Sequence, residues 1–238
     1  MSTNARAAGL LFSAALLLSV SAFPMGEHAM PNKITTAQSA AAANLRQDMR
    51  KLWTDHVVWT RDYVIAAVAD HPGAQAAAAR LMKNQEDIGY AVAGFYGKPA
   101  GDQLTALLKE HISIAVDLIK AAKASDKAAQ EQADVKWHKN GEAIADFLSK
   151  ANPNWPRATL VDMMNKHLST TTDEVVARLG MNWENDVKAF DAVYQHILAM
   201  ADALSCCSSP GCGGWCIHLV SRREKGPEGP RGNRNRAL

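Results

Sequence analysis

Three histidines, His56, His111 and His167, stand 55 and 56 residues apart. Each sits in a short pattern of the same build: Leu52-Trp53-Thr54-Asp55-His56-Val57, Leu107-Leu108-Lys109-Glu110-His111-Ile112 and Met163-Met164-Asn165-Lys166-His167-Leu168. A neutral imidazole carries one nitrogen lone pair and one N–H, so three brought together have two chemistries open to them. They can hold a zinc or copper ion with one coordination position left open, as catalytic metal sites do, with Met163 or Met164 as soft neighbours. They can instead form a polar core layer that fixes helix register, as single buried polar residues do in coiled coils.

Each histidine is followed six residues later by an aspartate, at Asp62, Asp117 and Asp173. At 100° per residue that step separates the two side chains by about 120° around a helix, so they cannot chelate one ion from a single helix. The aspartates are expected at the edge of the apolar stripe, solvated or paired to a neighbouring helix. About 30 residues after each histidine comes a weaker echo: Asn84-x-Glu86-x-Ile88, Asn140-x-Glu142-x-Ile144 and Tyr194-x-His196-x-Leu198. Together these read as an internal repeat of a helical hairpin.

The elements that must position these residues follow from the apolar pattern. Apolar residues recur at three and four from about residue 41 to 204, and breakers fall about every 25 residues: His71-Pro72-Gly73, Gly97-Lys98-Pro99, Ala124-Ser125-Asp126, Asn152-Pro153-Asn154-Trp155-Pro156 and Gly180-Met181-Asn182. The expected helices are 42–70, 73–96, 100–124, 127–150, 156–179 and 183–204. Gly97 and Gly180 are placed at helix ends, Asn182 as a cap and Pro156 at a first helical position. Short connections make neighbours antiparallel, so the fold class is all-α: six antiparallel helices as three repeated helical hairpins, a helical bundle.

On this register the stripes read Leu52/Trp53, His56, Trp59/Thr60, Tyr63; Leu104, Leu107/Leu108, His111, Ile114/Ala115, Leu118; and Leu160, Met163/Met164, His167, Thr170/Thr171. The even helices interrupt their own stripes at Asn84 (beside Gln85), Asn140 and Tyr194. Folding each hairpin brings these positions to one depth, giving a polar layer midway along the bundle. A buried imidazole or carboxamide left unpaired costs on the order of 1–3 kcal/mol, so the layer must be hydrogen-bonded, hydrated or metal-ligated. Convergence of the three histidines requires the odd helices to surround a common axis; hairpins stacked as a solenoid would leave them in a row. His28, His71, His138 and His196 fall in the leader, in a turn, or off the stripe, and carry no assigned role.

The chain has 238 residues with 26 Lys and Arg against 24 Asp and Glu. From Phe23 to Leu204 the balance is 19 to 22, and from Ser205 onwards it is six to two. A mildly acidic body gives no electrostatic reason to expect nucleic acid. Residues 1–22 read as a signal peptide, with Arg6, an apolar run through Leu16-Leu17-Leu18, and Val20-Ser21-Ala22 as a cleavage site. An uncleaved anchor is the other reading; after cleavage no transmembrane span remains. This places the protein outside the cytoplasm, secreted, periplasmic or associated with the cell envelope, where a protein or envelope partner is expected.

Residues 23–40 read as a flexible leader, in which Met25-Gly26-Glu27-His28-Ala29-Met30 could offer soft ligands to copper, though a solvated processing site explains it as well. Residues 205–238 hold all four cysteines, Cys206, Cys207, Cys212 and Cys216, and then turn to Arg, Gly and Pro. Two disulfides, a four-thiolate zinc knot or the product of a frameshift each account for that composition.

The stretch Leu45-Arg46-Gln47-Asp48-Met49-Arg50-Lys51-Leu52-Trp53, continuing through Asp55-His56-Val57-Val58-Trp59-Thr60-Arg61, resembles a family of small exported bacterial all-helical proteins. Asn84-Gln85-Glu86-Asp87-Ile88-Gly89, Leu107-Leu108-Lys109-Glu110-His111-Ile112, Ala151-Asn152-Pro153 with Trp155-Pro156, and Ile197-Leu198-Ala199-Met200-Ala201-Asp202 are similar to it as well. The resemblance spans roughly Leu45 to Leu204. It implies an exported helical protein, and a short apolar end where this chain enters its Cys-rich segment. Transferred labels within that family, glycosyltransferase and acetylglutamate kinase, do not suit about 160 helical residues without a nucleotide-binding turn.

Phosphate loops, zincin and deaminase motifs, nucleophile elbows and paired Glu-x-x-His motifs are all missing from the sequence. The function expected is therefore an exported binding or structural bundle rather than an enzyme. A zinc- or copper-binding protein using His56, His111 and His167 is the alternative, with a metal-dependent enzyme behind it.

Overall fold

The computed structural model describes residues 33–206. They form six helices and, among the described residues, no strand: α1 (Lys33–Val68), α2 (Ala74–Tyr96), α3 (Lys98–Lys123), α4 (Lys127–Ala151), α5 (Arg157–Leu179) and α6 (Trp183–Cys206). The stretch expected to be a signal peptide, most of the expected leader and the cysteine-rich segment beyond Cys206 lie outside the described residues. None of the described helices is long and apolar enough to cross a membrane.

Two of the expected boundaries need correction. α1 begins at Lys33 rather than after residue 40, because the alanine-rich run before Asn44 favours helix over the loop that the leader was expected to form. Pro156 is the N-cap rather than the first helical residue, in extended conformation at φ −61°, ψ 130°. Gly180 ends α5 at φ −77°, and the left-handed residue is its neighbour Met181, at φ 54°. Asn182 does cap α6, its Oδ1 accepting from the Asn185 N–H at 3.2 Å.

The three hairpin turns are built alike. A non-glycine residue in left-handed conformation, Asp70, Ser125 or Met181, follows each odd helix. Its N–H bonds three residues back, and the next N–H five back, as in His71 to Ala66, Asp126 to Ala121 and Asn182 to Ala177 at 2.8, 3.0 and 2.9 Å. This satisfies the last carbonyls of α1, α3 and α5 within the turn itself.

Each helix packs against the next in order, and α6 returns to pack on α1, which closes the six into a ring. α1 also touches α3 and α5, so the odd helices lean inward, and the smallest of the six neighbour contacts is between α4 and α5. On the outer face, Asp202 of α6 closes the ring with Arg46 and Arg50 of α1, at 2.9 and 2.7 Å. Burial alone would raise the Asp202 carboxyl, but hydrogen bonds from the two guanidinium groups outweigh it and hold the pKa below the ordinary value. Between α2 and α3 the backbones nearly touch: a Cβ on Gly101 would stand 2.5 Å from the Gly89 carbonyl.

The core has two unequal parts. The larger fills the end where the odd helices begin, with Met49, Trp53, Leu104, Leu108, Leu160, Met163 and Met164 against Ile88, Ile144, Val193, Ile197 and Leu204. The smaller, where the odd helices end, contains Tyr63, Val64, Ala77, Ile119 and Val175. His56, His111 and His167 lie between them.

Candidate functional site

The ring arrangement puts the odd helices around a common axis, and the three histidines meet there. The His56 and His167 ring centroids are 5.6 Å apart, and those of His111 and His167 are 6.0 Å apart. All three side chains are buried. Burial disfavours the charged imidazolium, and the neighbouring imidazoles oppose it further. His56 is accordingly pushed down to about 3, by burial and then by His111. His111 is pushed down to about 4 by burial, against a small opposing effect of Asn140, and His167 lies well below its ordinary value. The layer is neutral at any pH near 7.

A hydrogen bond to α4 fixes which nitrogen of His111 carries its proton. Asn140 Nδ2 donates to the Leu107 carbonyl and to Glu110 Oε2, both at 3.1 Å, so its other atom facing His111 is the oxygen. That oxygen accepts from His111 Nδ1 at 2.8 Å, which leaves His111 Nε2 as a bare lone pair, buried and without a hydrogen-bond partner. Gln85 Nε2 donates to the Leu81 carbonyl at 2.9 Å and to Asn84 Oδ1 at 3.2 Å, which identifies it as the amide nitrogen and uses both of its protons. The same nitrogen lies 3.2 Å from His56 Nδ1, a contact that does not by itself fix the His56 tautomer. Among the described residues His167 Nδ1 is buried and has no hydrogen-bond partner.

The spacing of these rings bears on the metal alternative. Three imidazoles on one tetrahedral zinc, with Zn–N of about 2.0–2.1 Å, hold their ring centroids roughly 5 Å apart, so the spacing here is nearly right. Among the described residues, however, no group of three or more His, Cys, Asp or Glu side chains is arranged to hold a metal ion. Met163 and Met164 are buried in the larger core.

Among the even-helix positions the structure gathers Asn84 and Asn140 and leaves out Tyr194. Asn84 Nδ2 donates to the Leu52 carbonyl at 3.0 Å and Asn140 Nδ2 to the Leu107 carbonyl at 3.1 Å, in each case the residue four before the histidine. On α6 the corresponding bond comes from His196, whose Nε2 donates to the Met163 carbonyl at 2.9 Å. Tyr194 is half-buried, packs on the larger core and stacks near Phe190. A signal for His196 existed: the odd-helix histidine lies 14 residues before the left-handed turn residue in all three hairpins, and Asn84, Asn140 and His196 lie 14, 15 and 15 after it.

Asp62, Asp117 and Asp173 are all exposed. The buried acids are instead Glu174 and Asp186. Glu174 and Asp186 share Arg61, at 2.9 and 2.5 Å, and Arg178 reaches Asp186 at 3.1 Å, tying α1, α5 and α6 together. Burial raises the Glu174 pKa against the pull of Arg61, whereas hydrogen bonding to Arg61 lowers that of Asp186. Glu174 stands seven residues after His167, on the same stripe.

On the smaller-core side of the layer lies a cavity of about 330 Å³. His56, His111 and His167 form its floor, with Thr60, Thr171 and Trp137; Leu81, Ile112, Val116, Ile119 and Val175 are in its walls. Thr60 and Thr171 spend their hydroxyl protons on the His56 and His167 carbonyls, at 2.7 and 2.8 Å. The exposed rim residues Glu131, Thr172 and Val176 place the mouth between α4 and α5, where the helices touch least. Odd-helix residues beyond the histidines, such as Thr60, Ala115 and Thr171, are small, while those before them, such as Trp53, Leu108 and Met164, are large. The bundle is solid on one side of the layer and hollow on the other.

The arrangement can therefore enclose a small molecule against a neutral, hydrogen-bonding floor. No family model matches this chain, and neither the curated proteins nor the solved structures contain a match to it.

Proposed function

We propose that this protein is an exported helical-bundle binding protein that takes a small molecule into the hollow half of the bundle, above the histidine layer. The observation that carries this is the cavity of about 330 Å³ lined by His56, His111 and His167 together with apolar walls. Its size falls in the range of small-molecule sites, roughly 300–1,000 Å³, and its lining of apolar walls with a few convergent polar groups is typical of them.

Binding is favoured over acid–base catalysis by the same groups. An imidazole held at about 3 or 4 is a poor general base near neutral pH. Export rests on the signal-like residues 1–22 and on the family resemblance. The zinc or copper alternative has less support, because no group of three or more His, Cys, Asp or Glu side chains among the described residues is arranged to hold an ion.

The test is a thermal-shift screen of small neutral molecules against the whole chain and against Ala115→Phe, which fills the cavity from α3. At saturating ligand, binders should raise the Tm of the parent by several degrees and leave the variant unmoved. A screen without binders, or binders indifferent to Ala115→Phe, would overturn the reading.

A further inference from the structure

The shape of the cavity and the charge at its mouth narrow what it can hold. On α3 the lining residues run from His111 to Ala122, about 16 Å at 1.5 Å per residue, and on α5 from His167 to Val176, about 13 Å. A volume of about 330 Å³ spread over that length leaves a mean section of roughly 20–25 Å², about 5 Å across. The chamber is long and narrow rather than round. Its walls are apolar, with Leu81, Ile112, Val116, Ile119 and Val175. At the floor a charged group would be buried among neutral imidazole rings, so the charge of an amphiphile belongs at the other end.

The mouth carries charge of one sign. Glu131 is exposed and Asp134 half-buried on its α4 side. Among the described residues neither is paired to a lysine or arginine, and Asp134 has the exposed His138 at 3.8 Å. We infer that the chamber takes the single unbranched chain of an alkylamine, lying along α3 toward the histidine layer, with the ammonium in water at the mouth beside Glu131 and Asp134. An apolar cavity of about 150 Å³ holds the carbons of benzene, so this one holds about a dozen carbons. A fatty carboxylate offers the same chain, but its head meets two like charges. A cage hydrocarbon of equal carbon number is too wide for the section. This inference rests on the proposed binding role, and the experiment separates the two.

The probes are the primary amines from butylamine to tetradecylamine, with undecanoate, undecan-1-ol and 1-adamantylmethylamine. Their affinities for the whole chain would be measured by calorimetry at pH 7 and low salt, below micelle formation. Affinity should rise about fourfold per methylene and stop rising at about a dozen carbons, where the chain reaches the floor. Undecylamine should exceed 1-adamantylmethylamine, and also undecanoate, by about tenfold. In the double variant Glu131→Gln with Asp134→Asn the ratio of undecylamine to undecanoate should fall to within about twofold. Undecan-1-ol should bind that variant as it binds the parent, which shows that the variant is folded.

If 1-adamantylmethylamine matches undecylamine, or if the gain per methylene continues through tetradecylamine, the binding role stands and the chain-shaped chamber is wrong. If undecanoate matches undecylamine, or the double variant leaves their ratio unchanged, the cationic head at the mouth is wrong. If none of these probes binds while the thermal-shift screen finds ligands that Ala115→Phe excludes, this inference falls and the binding role remains. If neither experiment finds a ligand, the proposed function falls with it.

Discussion

Lowering the pH from 7 to 5 should remove much of this protein's stability, and the histidine layer sets how much. In the unfolded chain each histidine returns to its ordinary pKa near 6.5. In the folded chain His56 and His111 are held at about 3 and about 4, and His167 well below its usual value. Above pH 6.5 both states are unprotonated and the layer costs nothing. As the pH falls below 6.5, only the unfolded chain takes up protons, so stability is lost. The loss continues until the pH reaches the folded pKa values, about 4 for His111 and about 3 for His56. At about 1.4 kcal/mol per pH unit and group, the slope for three histidines is about 4 kcal/mol per pH unit, and the loss by pH 5 is about 6 kcal/mol. Total stabilities of roughly 5–15 kcal/mol make that a large fraction. Asp186 and Asp202, whose pKa values are depressed, add to the loss only at lower pH, and Glu174, whose pKa is raised, opposes it weakly as a single group. Urea denaturation followed by circular dichroism between pH 7.5 and 4.5 measures the slope, and His111→Leu should reduce it by about one quarter to one third. A slope corresponding to one proton or fewer, or an NMR titration placing His56 and His111 near 6.5, would refute the account of the layer.

Gly101→Ala should destabilise by about 2 kcal/mol, because its Cβ would stand 2.5 Å from the Gly89 carbonyl and 2.6 Å from Ala93 Cβ, outweighing the gain in helix propensity. Gly94→Ala on α2 meets nothing within 4 Å and should stabilise by about 1 kcal/mol; chemical denaturation of the pair checks whether close packing decides the sign. Arg61→Met leaves Glu174 and Asp186 buried without their main partner and should cost about 3–5 kcal/mol, much of it recovered in the triple variant with Glu174→Gln and Asp186→Asn. Met181→Gly relieves a left-handed, exposed methionine and should raise stability by about 1 kcal/mol, measured as a shift in urea midpoint.

The helices were legible because their breakers are strong and their stripes regular. The depth of His56, His111 and His167 was legible because two antiparallel helices joined by a short turn must match levels. Whether the hairpins close or stack was not, since closure depends on α1 meeting α6 through pairs such as Arg50 and Asp202, 152 residues apart. Nothing local marks such a pair. The wording of the echo points to Tyr194, whereas distance from the turn points to His196, and it is the distance that sets depth in an antiparallel hairpin. The repeat draws attention to Asp62 and Asp173, while the buried ion pairs use Arg61, Glu174 and Asp186, of which Glu174 continues the His167 stripe. The cavity was written in the small residues Thr60, Ala115 and Thr171, but small stripe residues indicate either a void or a close helix approach. Gly89 and Gly101 show the second outcome in the same fold.

The partition of the core by the histidine layer has a consequence for how such a chain can change. The end that is packed solid holds the ring closure through Asp202, and it contains none of the residues that line the cavity walls. The hollow end is bounded by three turns that satisfy their own carbonyls and need little from the interior. Substitutions at Val116, Ile119 or Val175 can therefore reshape the chamber while the solid end continues to specify the fold. A duplicated gene of this kind can vary one end of the bundle alone, with the histidine layer as the boundary between the part that is free to change and the part that is not.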